Sequence, residues 1–401
     1  RTKLTLKLII CLIAAAGAVS LVARPIRAHA QTSRLPVIVG AERSDLYLPL
    51  LKGKRVALLS NHTGIVDSVT HTADYMLQKG VNLTTLMSPE HGFRGTASAG
   101  AEVASGTDAA TGLPVVSLYG KNRKANLVNA LKDVDVVVVD LQDVGARFYT
   151  YHITMADVMA EAARQGKKVV VFDRPNPLIM TVDGPTLEPE LRSGVGRLPI
   201  PAVHGMTMGE LALMINGEGW LADGLKADLA VVPCDNYNRE VRYELPVPPS
   251  PNLRNMGAIY LYPSLCLFEG TPVSVGRGTE FPFQIYGHPN MGAGYIYEFI
   301  PKDRPGAMNP PCEGLLCRGM DLRGVPYEKA IKDGMNLEYV IDAYKALNVG
   351  EAFFTRMFDL LAGTKDLRKQ IMAGMSPEDI RKTWQPGIKA FLDRRKPYLL
   401  Y

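Results

Sequence analysis

The stretch SPEHGFRG, which begins at Ser88, brings together three side chains able to do chemistry. Glu90 supplies a carboxyl group, His91 an imidazole that titrates near neutral pH, and Arg94 a guanidinium. The stretch follows an apolar run, VNLTTLM, which is typical of a buried strand. Because Glu90 lies between Pro89 and His91, where it caps no evident helix, the pattern favours a catalytic or ligand-binding role for this residue.

Polar side chains also follow other apolar runs in the first half of the chain. If these runs are parallel strands, their carboxyl ends lie on one rim, where open α/β sheets bind their ligands. We therefore predict one site that combines several strand ends. Besides the stretch above, its candidate residues are Asn61, His62, Asp140, Asp143, Arg147, Tyr149, Tyr151, Asp173, Arg174 and Asn176.

Simpler structural roles are open for several of these residues. Asp140 and Asp173 could cap the helices that follow them, since aspartate at a strand end often does so. Arg147 could only pair with Asp143, and His62 could hold a turn.

The second half of the chain adds the segment LYPSLCLFEGTPVSVGRGTEFPF. Glu269 follows its apolar part, and Arg277 lies between two glycines. Such a segment could close over the site from a second domain. The alternative is that Glu269 is a structural carboxylate paired with Arg277.

The strand-like runs alternate with helix-like stretches. The runs at 55–61, 81–89, 113–120, 134–143, 167–175 and 227–234 are short, continuous and rich in β-branched residues, which is typical of strands buried on both faces. Their alternation with helices predicts a doubly wound α/β domain. Neither GxGxxG nor GxxxxGK[ST] occurs, which argues against dinucleotide and P-loop sites. The chain length favours two domains, and LPVPPSPNL at 245–253 marks a change in composition.

Residues 1–30 have the layout of a secretory signal peptide: a basic start, an apolar run and a small-x-small motif ending at Ala30. The alternative, an uncleaved anchor, is less favoured because the apolar run is short for a membrane span. The segment holds five of the 45 basic residues and no acidic one, so its removal leaves 40 basic and 40 acidic residues. We therefore expect a secreted or periplasmic protein without a nucleic-acid surface and without stable membrane insertion after cleavage.

Four cysteines lie beyond the predicted signal peptide. Cys312 and Cys317 flank a short loop and could form a local disulfide in an oxidising compartment. Cys234 and Cys266 are predicted to be buried thiols. No residue pattern requires a cofactor, and none is predicted.

Eight of these segments, taken in order, resemble one family. SNHTG, SPEHGFRG, DLQDVGARFYTY, DRPNPL, HGMTMGELA, PPSPNL, YPSLCLFEGT and SVGRGT are similar to segments of the exo-acting β-N-acetylmuramidases typified by NamZ, formerly a domain of unknown function. The resemblance runs from about residue 36 to residue 401. It implies a Rossmann-like, mostly parallel sheet domain, set here at 31–240, a smaller α+β companion domain at 241–401, and a cleft between them.

The resemblance also implies an activity, the release of terminal N-acetylmuramic acid from the non-reducing end of peptidoglycan fragments. Glu90 matches the family's catalytic-site glutamate, whereas His62 departs from the glutamine expected more often there. Hydrolysis of a glycosidic bond usually needs two carboxyl groups, so Glu90 is the predicted acid, and its partner is Asp140, Asp143 or Glu269. Muramic acid carries a lactyl carboxylate, for which Arg94, Arg147 and Arg277 are candidate ligands, with Arg94 or Arg147 favoured.

Two other functions remain open at this point. His62, His91, Asp140 and Asp173 could ligate zinc in a metal-dependent periplasmic hydrolase, although no two histidines have the spacing of ligands on one helix face. A non-catalytic periplasmic sugar-binding protein is the other alternative, and turnover of a chromogenic glycoside would exclude it.

Overall fold

The computed structural model describes residues 35–67, 69–90, 92–94 and 106–401, so the predicted signal peptide at 1–30 lies outside the described residues. The strands are β1 (Val56–Ser60), β2 (Ile65–Val66), β3 (Thr70–His71), β4 (Leu83–Ser88), β5 (Gly106–Thr107), β6 (Pro114–Ser117), β7 (Val136–Asp140), β8 (Lys168–Phe172), β9 (Asp183–Thr186), β10 (Pro201–Val203), β11 (Asp228–Val232), β12 (Ile285–His288), β13 (Tyr297–Phe299) and β14 (Cys317–Asp321). The α-helices are α1 (Ser44–Leu51), α2 (Thr72–Gln78), α3 (Arg123–Leu131), α4 (Tyr151–Arg164), α5 (Met208–Gly217), α6 (Met256–Leu265), α7 (Tyr327–Asp333), α8 (Glu338–Leu347), α9 (Arg356–Ala362), α10 (Asp366–Met372) and α11 (Pro377–Arg395).

The central sheet has the strand order β11-β8-β7-β1-β4-β6-β5. Among the described strands of this sheet, β5 alone pairs antiparallel, at the edge beside β6, and the other pairs are parallel. The chain adds β4 and β6 on one side of β1, and then β7, β8 and β11 on the other side. This is the doubly wound order of Rossmann-like domains. The parallel strands coincide with the six apolar runs, so the predicted sheet is confirmed.

Both faces of the sheet are covered by helices. Along β1, Ala57 and Leu59 belong to one apolar core, while Val56 and Leu58 belong to the other. Helices α3, α4 and α5 contribute to the first core, and α1 and α2 to the second. Because successive side chains point to opposite faces and both faces are buried, the strands are continuous apolar runs.

The C-terminal part combines a small antiparallel sheet, β12-β14-β13, with helices α6 to α11. The C-terminal end of the chain is mostly helical, with α8 and α11 as its longer helices. Helix α11 begins at Pro377, and the Ser376 hydroxyl caps it by accepting a hydrogen bond from the Asp379 amide.

The two parts of the chain pack closely, and residues 36–401 form one compact unit. The Asp183 carboxylate, in β9, accepts hydrogen bonds from the Met335 amide at 2.8 Å and from Arg381 Nη1 at 2.7 Å, both from the C-terminal part. The domain boundary at residue 240 stays a prediction. In the part of the chain that the structure describes, no helix has the length and apolar character needed to cross a membrane.

Candidate active site

Glu90 and Glu269 line the same cavity, which has a volume of about 160 Å³. The two residues come from different parts of the chain, Glu90 from the loop after β4 and Glu269 from the 3-10 helix Cys266–Gly270 that follows α6. The sequence named both as catalytic candidates. The other lining residues are Phe148, Tyr149, Thr150, Tyr151, Val195, Ser250, Asn252, Leu253, Tyr262, Arg277 and Phe283.

Glu90 lies beside two tyrosine hydroxyls. Burial, the charge of Glu90 and a hydrogen bond with Glu90 raise the pKa of Tyr119, which follows β6. Burial raises the pKa of Tyr151, and the charge of Glu90 adds to this increase. Glu90 is therefore held at the carboxyl ends of neighbouring strands, where the sequence placed it. His91, a predicted substrate ligand, lies outside the described residues.

Glu269 forms an ion pair with Arg277, as one interpretation of the sequence proposed. Glu269 Oε1 lies 2.5 Å from Arg277 Nε, and the Arg277 guanidinium carbon lies 5.1 Å from the centre of the Phe283 ring. The pair is not sealed in the core, because the two side chains keep 28% and 20% of their surface exposed. Glu269 and Arg277 can therefore hold each other in place and still face a substrate.

Aromatic rings form one wall of the cavity. Tyr262 is central, with ring centres 5.2 Å from Phe148, 5.0 Å from Phe283 and 6.4 Å from Tyr149. Tyr149 donates a hydrogen bond to the Pro249 carbonyl at 2.8 Å. Tyr149 was predicted from the sequence as a site residue, whereas Tyr262 and Phe283 were not. Their signal was present in the quoted segment around Glu269, where both aromatics lie close to the predicted carboxylate in sequence.

Asn61 and His62 contact residues in or next to the lining of the cavity. Asn61 donates to the Tyr151 hydroxyl at 2.8 Å and is itself held by Thr63. His62 Nε2 lies 2.7 Å from the Pro248 carbonyl, so this nitrogen carries the proton. His62 thus anchors the segment that brings Ser250 and Asn252 to the cavity.

Asp140, a predicted catalytic partner, does not reach the cavity. Its carboxylate is fully buried. It accepts hydrogen bonds from Arg174 Nε at 2.6 Å, from Arg174 Nη2 at 2.9 Å and from the Thr72 hydroxyl at 2.6 Å. Burial alone would lower the pKa of Arg174, but the Asp140 carboxylate outweighs it and raises the pKa. The pair joins the end of β7 to the loop after β8, and Arg174 Nη2 also donates to the Ile65 carbonyl in β2 at 3.0 Å. A structural role thus accounts for Asp140, and also for Arg174, which was a predicted substrate ligand.

Asp143, the other catalytic candidate of this loop, also faces the protein interior. Its Oδ2 accepts from the Gly145 amide at 3.0 Å and lies 3.3 Å from Nε2 of His204. The predicted pairing with Arg147 is not found. Beside this pair, burial lowers the pKa of His152 to about 4, so that imidazole is neutral at physiological pH.

Arg147 binds four backbone carbonyls and no carboxylate in the described structure. Its terminal nitrogens donate to Pro185 and Ile200 in the N-terminal part, and to Leu361 and Ala362 in the C-terminal part, at distances between 2.7 and 3.0 Å. Burial lowers the pKa of Arg147 to about 9, which leaves it charged at neutral pH. Arg147 therefore joins the two parts of the chain, and the predicted contact with substrate is not supported by its position.

Arg94 is also bound elsewhere. Its guanidinium makes two hydrogen bonds with the Asp108 carboxylate, at 2.9 and 2.7 Å. Burial alone would raise the pKa of Asp108, but hydrogen bonds from Arg94 and Thr111 outweigh it and lower the pKa. Of the three arginines proposed to bind a substrate carboxylate, Arg277 is the one that lines the cavity.

Asp173 and Asn176 stabilise the loop and helix that follow β8. The Asp173 carboxylate accepts from the Thr207 hydroxyl at 2.7 Å and the Gly209 amide at 2.7 Å, at the start of α5. It also accepts from the Tyr401 hydroxyl at 2.8 Å. Asn176 binds the Met206 carbonyl and the Leu178 amide. Helix capping, the simpler interpretation, accounts for Asp173, and neither residue lines the cavity.

Comparisons with known proteins identify the family. The profile of the N-terminal domain of exo-β-N-acetylmuramidase NamZ matches residues 56–257, and the profile of its C-terminal domain matches residues 260–401. The chain belongs to the NamZ family. It is 39% identical over 374 residues to the peptidoglycan β-N-acetylmuramidase NamZ of Bacillus subtilis (strain 168), covering 88% of this chain and 89% of that protein.

Two solved structures share the NamZ family fold. Both are crystal structures of DUF1343 family proteins from Bacteroides fragilis NCTC 9343. One is 50% identical, with a TM-score of 0.84 over 92% of this chain and 99% of that chain. The second is 30% identical, with a TM-score of 0.79 over 92% of this chain and 100% of that chain.

The zinc ligands considered from the sequence do not converge. His62 faces a backbone carbonyl, Asp140 faces Arg174, and Asp173 caps α5. Within the described ranges, no group of three or more histidine, cysteine, aspartate or glutamate side chains is arranged to hold a metal ion. The carboxyl groups that line the cavity of this NamZ family site are those of Glu90 and Glu269.

Proposed function

We propose that this protein is an exo-β-N-acetylmuramidase that releases terminal N-acetylmuramic acid from the non-reducing end of peptidoglycan fragments during cell-wall turnover. The observation that carries the proposal is the presence of Glu90 and Glu269 in one cavity of a NamZ family member. Two carboxyl groups flanking the scissile bond are the usual requirement for hydrolysis of a glycosidic bond. An aromatic wall beside them offers a face to a sugar ring.

Glu90 is the general acid in this proposal. Its contact with Tyr119 orients the carboxyl group, while the nearby Arg94 is bound by Asp108. Glu269 is the second carboxyl group in this proposal, and its ion pair with Arg277 holds it in position at the cavity.

Arg277 is the proposed reader of the lactyl carboxylate. A guanidinium has five N–H donors, and the bond from Nε to Glu269 uses one of them. The terminal nitrogens can then form a charge-assisted pair with a substrate carboxylate. Arg277→Ala should reduce kcat/KM more for a muramic acid glycoside than for the N-acetylglucosamine analogue, which lacks the lactyl group. Equal losses on the two substrates would assign Arg277 to the positioning of Glu269 alone.

The roles of the two glutamates are tested with two leaving groups. Glu90→Gln should lower kcat by about 10²–10⁴-fold on a substrate with a poor leaving group, because general acid catalysis contributes about that factor. A substrate with a good leaving group needs little protonation, so its cleavage should be largely spared. Glu269→Gln should impair both substrates.

The matched control is Glu328→Gln, which removes the charge of an exposed glutamate paired with Arg242. It should retain the activity of the unmodified enzyme on both substrates. Equal damage by Glu90→Gln on both substrates, with folding intact, would overturn its role as the acid. Inactivity of the unmodified protein on all muramic acid substrates would overturn the proposed function.

We also propose export to the periplasm or the medium, with cleavage after Ala30. The basis is the basic, apolar and small-residue pattern of residues 1–30. The mass of the protein recovered from its native host gives its N-terminus. A membrane-bound protein that retains residues 1–30 would contradict this proposal.

A further inference from the structure

Two neighbouring cavities beside α4 form one groove. Their volumes are about 450 Å³ and about 690 Å³. We name their union the α4 groove. Because the two cavities have lining residues in common, they are parts of one depression. The shared residues are Asp157, Ala160, Arg197, Ala222 and Asp223.

One face of α4 leads from the catalytic cavity into this groove. Thr150, the residue before the helix, lines the catalytic cavity. Thr154, Asp157, Glu161 and Arg164 line the groove. Their spacing from Thr150 alternates between four and three residues, which keeps them on one side of an α-helix. At about 1.5 Å per residue, this face extends about 21 Å from the catalytic cavity.

Two further chain segments connect the sites. Val195 lines the catalytic cavity, and Arg197, two residues later, lines the groove. Leu118 lines the groove, and the next residue, Tyr119, contacts Glu90. With α4, three independent segments thus place one residue at or beside the catalytic cavity and a near neighbour in the groove. These three segments place the groove next to the catalytic cavity.

The groove offers polar groups and an aromatic ring. Arg197 pairs with Asp157, and Arg164 pairs with Asp223 at 2.8 Å and with Glu161 at 2.6 Å. Trp220 lines the groove and is partly exposed. Hydroxyl and amide groups of sugars can bind such ion pairs, and the less polar face of a sugar ring can lie against an indole. The lining has five basic side chains, Arg123, Lys124, Arg164, Arg192 and Arg197, against three acidic ones, Asp157, Glu161 and Asp223.

We propose that the α4 groove binds the part of the glycan strand that lies beyond the scissile bond and departs as the leaving group. This inference rests on the proposed function, because it names the rest of the same substrate as the occupant. An exo-acting enzyme holds one terminal sugar in its catalytic cavity, so the strand must leave that cavity across the adjoining surface. The excess of basic side chains suits a strand whose muramic acid units carry carboxylates.

The test compares two substrates in the full-length enzyme. One is a chromogenic muramic acid glycoside, which has no strand beyond the scissile bond. The other is a muramic-acid-terminated peptidoglycan glycan several sugars long. The quantity measured is the ratio of kcat/KM for the glycan to kcat/KM for the chromogenic glycoside, so that general damage to the enzyme cancels.

Trp220→Ala and Arg197→Ala should each lower this ratio about five- to tenfold, the factor expected for one lost hydrogen bond or ring contact. Trp220 also packs partly against the core, so Arg197→Ala serves as the second variant if Trp220→Ala does not fold. The matched control is Arg318→Ala, which breaks an exposed ion pair with Glu298 in the small sheet and should leave the ratio unchanged.

Two outcomes would overturn the proposal in distinguishable ways. If the unmodified enzyme cleaves both substrates and the folded groove variants keep its ratio, the groove does not bind the strand, while the proposed function stands. If the unmodified enzyme cleaves neither substrate, the proposed function and the groove proposal both fall.

Discussion

Replacing Asp173 should change how the stability of this protein depends on pH. The carboxyl group is fully buried, and burial, with the nearby charge of Glu210, raises its pKa to about 6 despite hydrogen bonds from Thr207, Gly209 and Tyr401. The folded protein therefore holds the Asp173 proton more tightly than the unfolded chain does.

The sign and size of the effect follow from this difference. Between pH of about 4 and 6 the folded state binds more protons, so the free energy of unfolding falls as the pH rises. The contribution of Asp173 is fully present below the ordinary value of 3.8 and is lost as the pH rises through about 6. At about 1.4 kcal/mol per pH unit, the change amounts to about 3 kcal/mol.

The pH dependence of wild-type stability does not isolate the contribution of Asp173, because His152 also contributes to it. Burial lowers the pKa of His152 to about 4, so its contribution is present above about pH 6.5 and is lost as the pH falls towards 4. The two effects have opposite signs in overlapping ranges. A comparison of wild type with Asp173→Asn isolates the aspartate, because both proteins retain His152.

Urea unfolding at pH 4 and at pH 7 measures the difference. The stability advantage of wild type over Asp173→Asn should be about 2.5 kcal/mol smaller at pH 7 than at pH 4. The control is Asp379→Asn, which replaces an exposed carboxylate whose pKa is lowered mainly by a hydrogen bond from Lys382. Here the stability advantage of wild type over the variant should grow as the pH rises. If the stability advantage of wild type over Asp173→Asn is the same at both pH values, or larger at pH 7, burial does not dominate the pKa of Asp173 and the reasoning is wrong.

Three further predictions follow from contacts described above. Arg147→Met should lower the free energy of unfolding in urea by more than about 3 kcal/mol, because four buried carbonyls lose a charged donor, whereas Arg55→Met at an exposed ion pair should have a far smaller effect. Tyr119→Phe removes the hydrogen bond to Glu90 and should lower kcat about three- to tenfold with an unchanged circular dichroism spectrum; unchanged kcat would show that Glu90 needs no such support. The neighbouring Cys317 thiol lowers the pKa of Cys312, so oxidised glutathione should convert the pair to a disulfide. Mass spectrometry should detect the loss of two hydrogens, and two free thiols after this treatment would contradict the prediction.

The sheet was predictable because burial leaves a direct mark on sequence. Strands such as β7, with the sequence VVVVD, are covered on both faces and must be apolar throughout. Glu90 was also predictable as a cavity residue, since a carboxyl group without a capping duty suggests a role in a site, and Glu269 was predictable because it follows an apolar segment that could close over that site.

Other residues could not be assigned from sequence because strand ends serve two purposes. Asp140 and Arg147 follow a strand just as a ligand-binding residue would, but their side chains turn inwards to Arg174 and to backbone carbonyls. Sequence position does not give the direction of a side chain. The aromatic wall was missed for a related reason, because Tyr262 lies in α6 among apolar residues and resembles a core position.

The hydrogen bonds of Arg147 to both parts of the chain have a consequence for how this protein can evolve. The two family profiles meet between residues 257 and 260, yet the Arg147 guanidinium of the first part donates hydrogen bonds to the carbonyls of Leu361 and Ala362 in the second. Gly363 has a positive φ, and a side chain there would collide with the Arg147 guanidinium. A gene fragment for either half would encode a buried charge or a set of carbonyls without its counterpart. Recombination at the boundary between the profiles should therefore succeed only between relatives that keep both sides of this contact, which makes the two halves a single inherited unit.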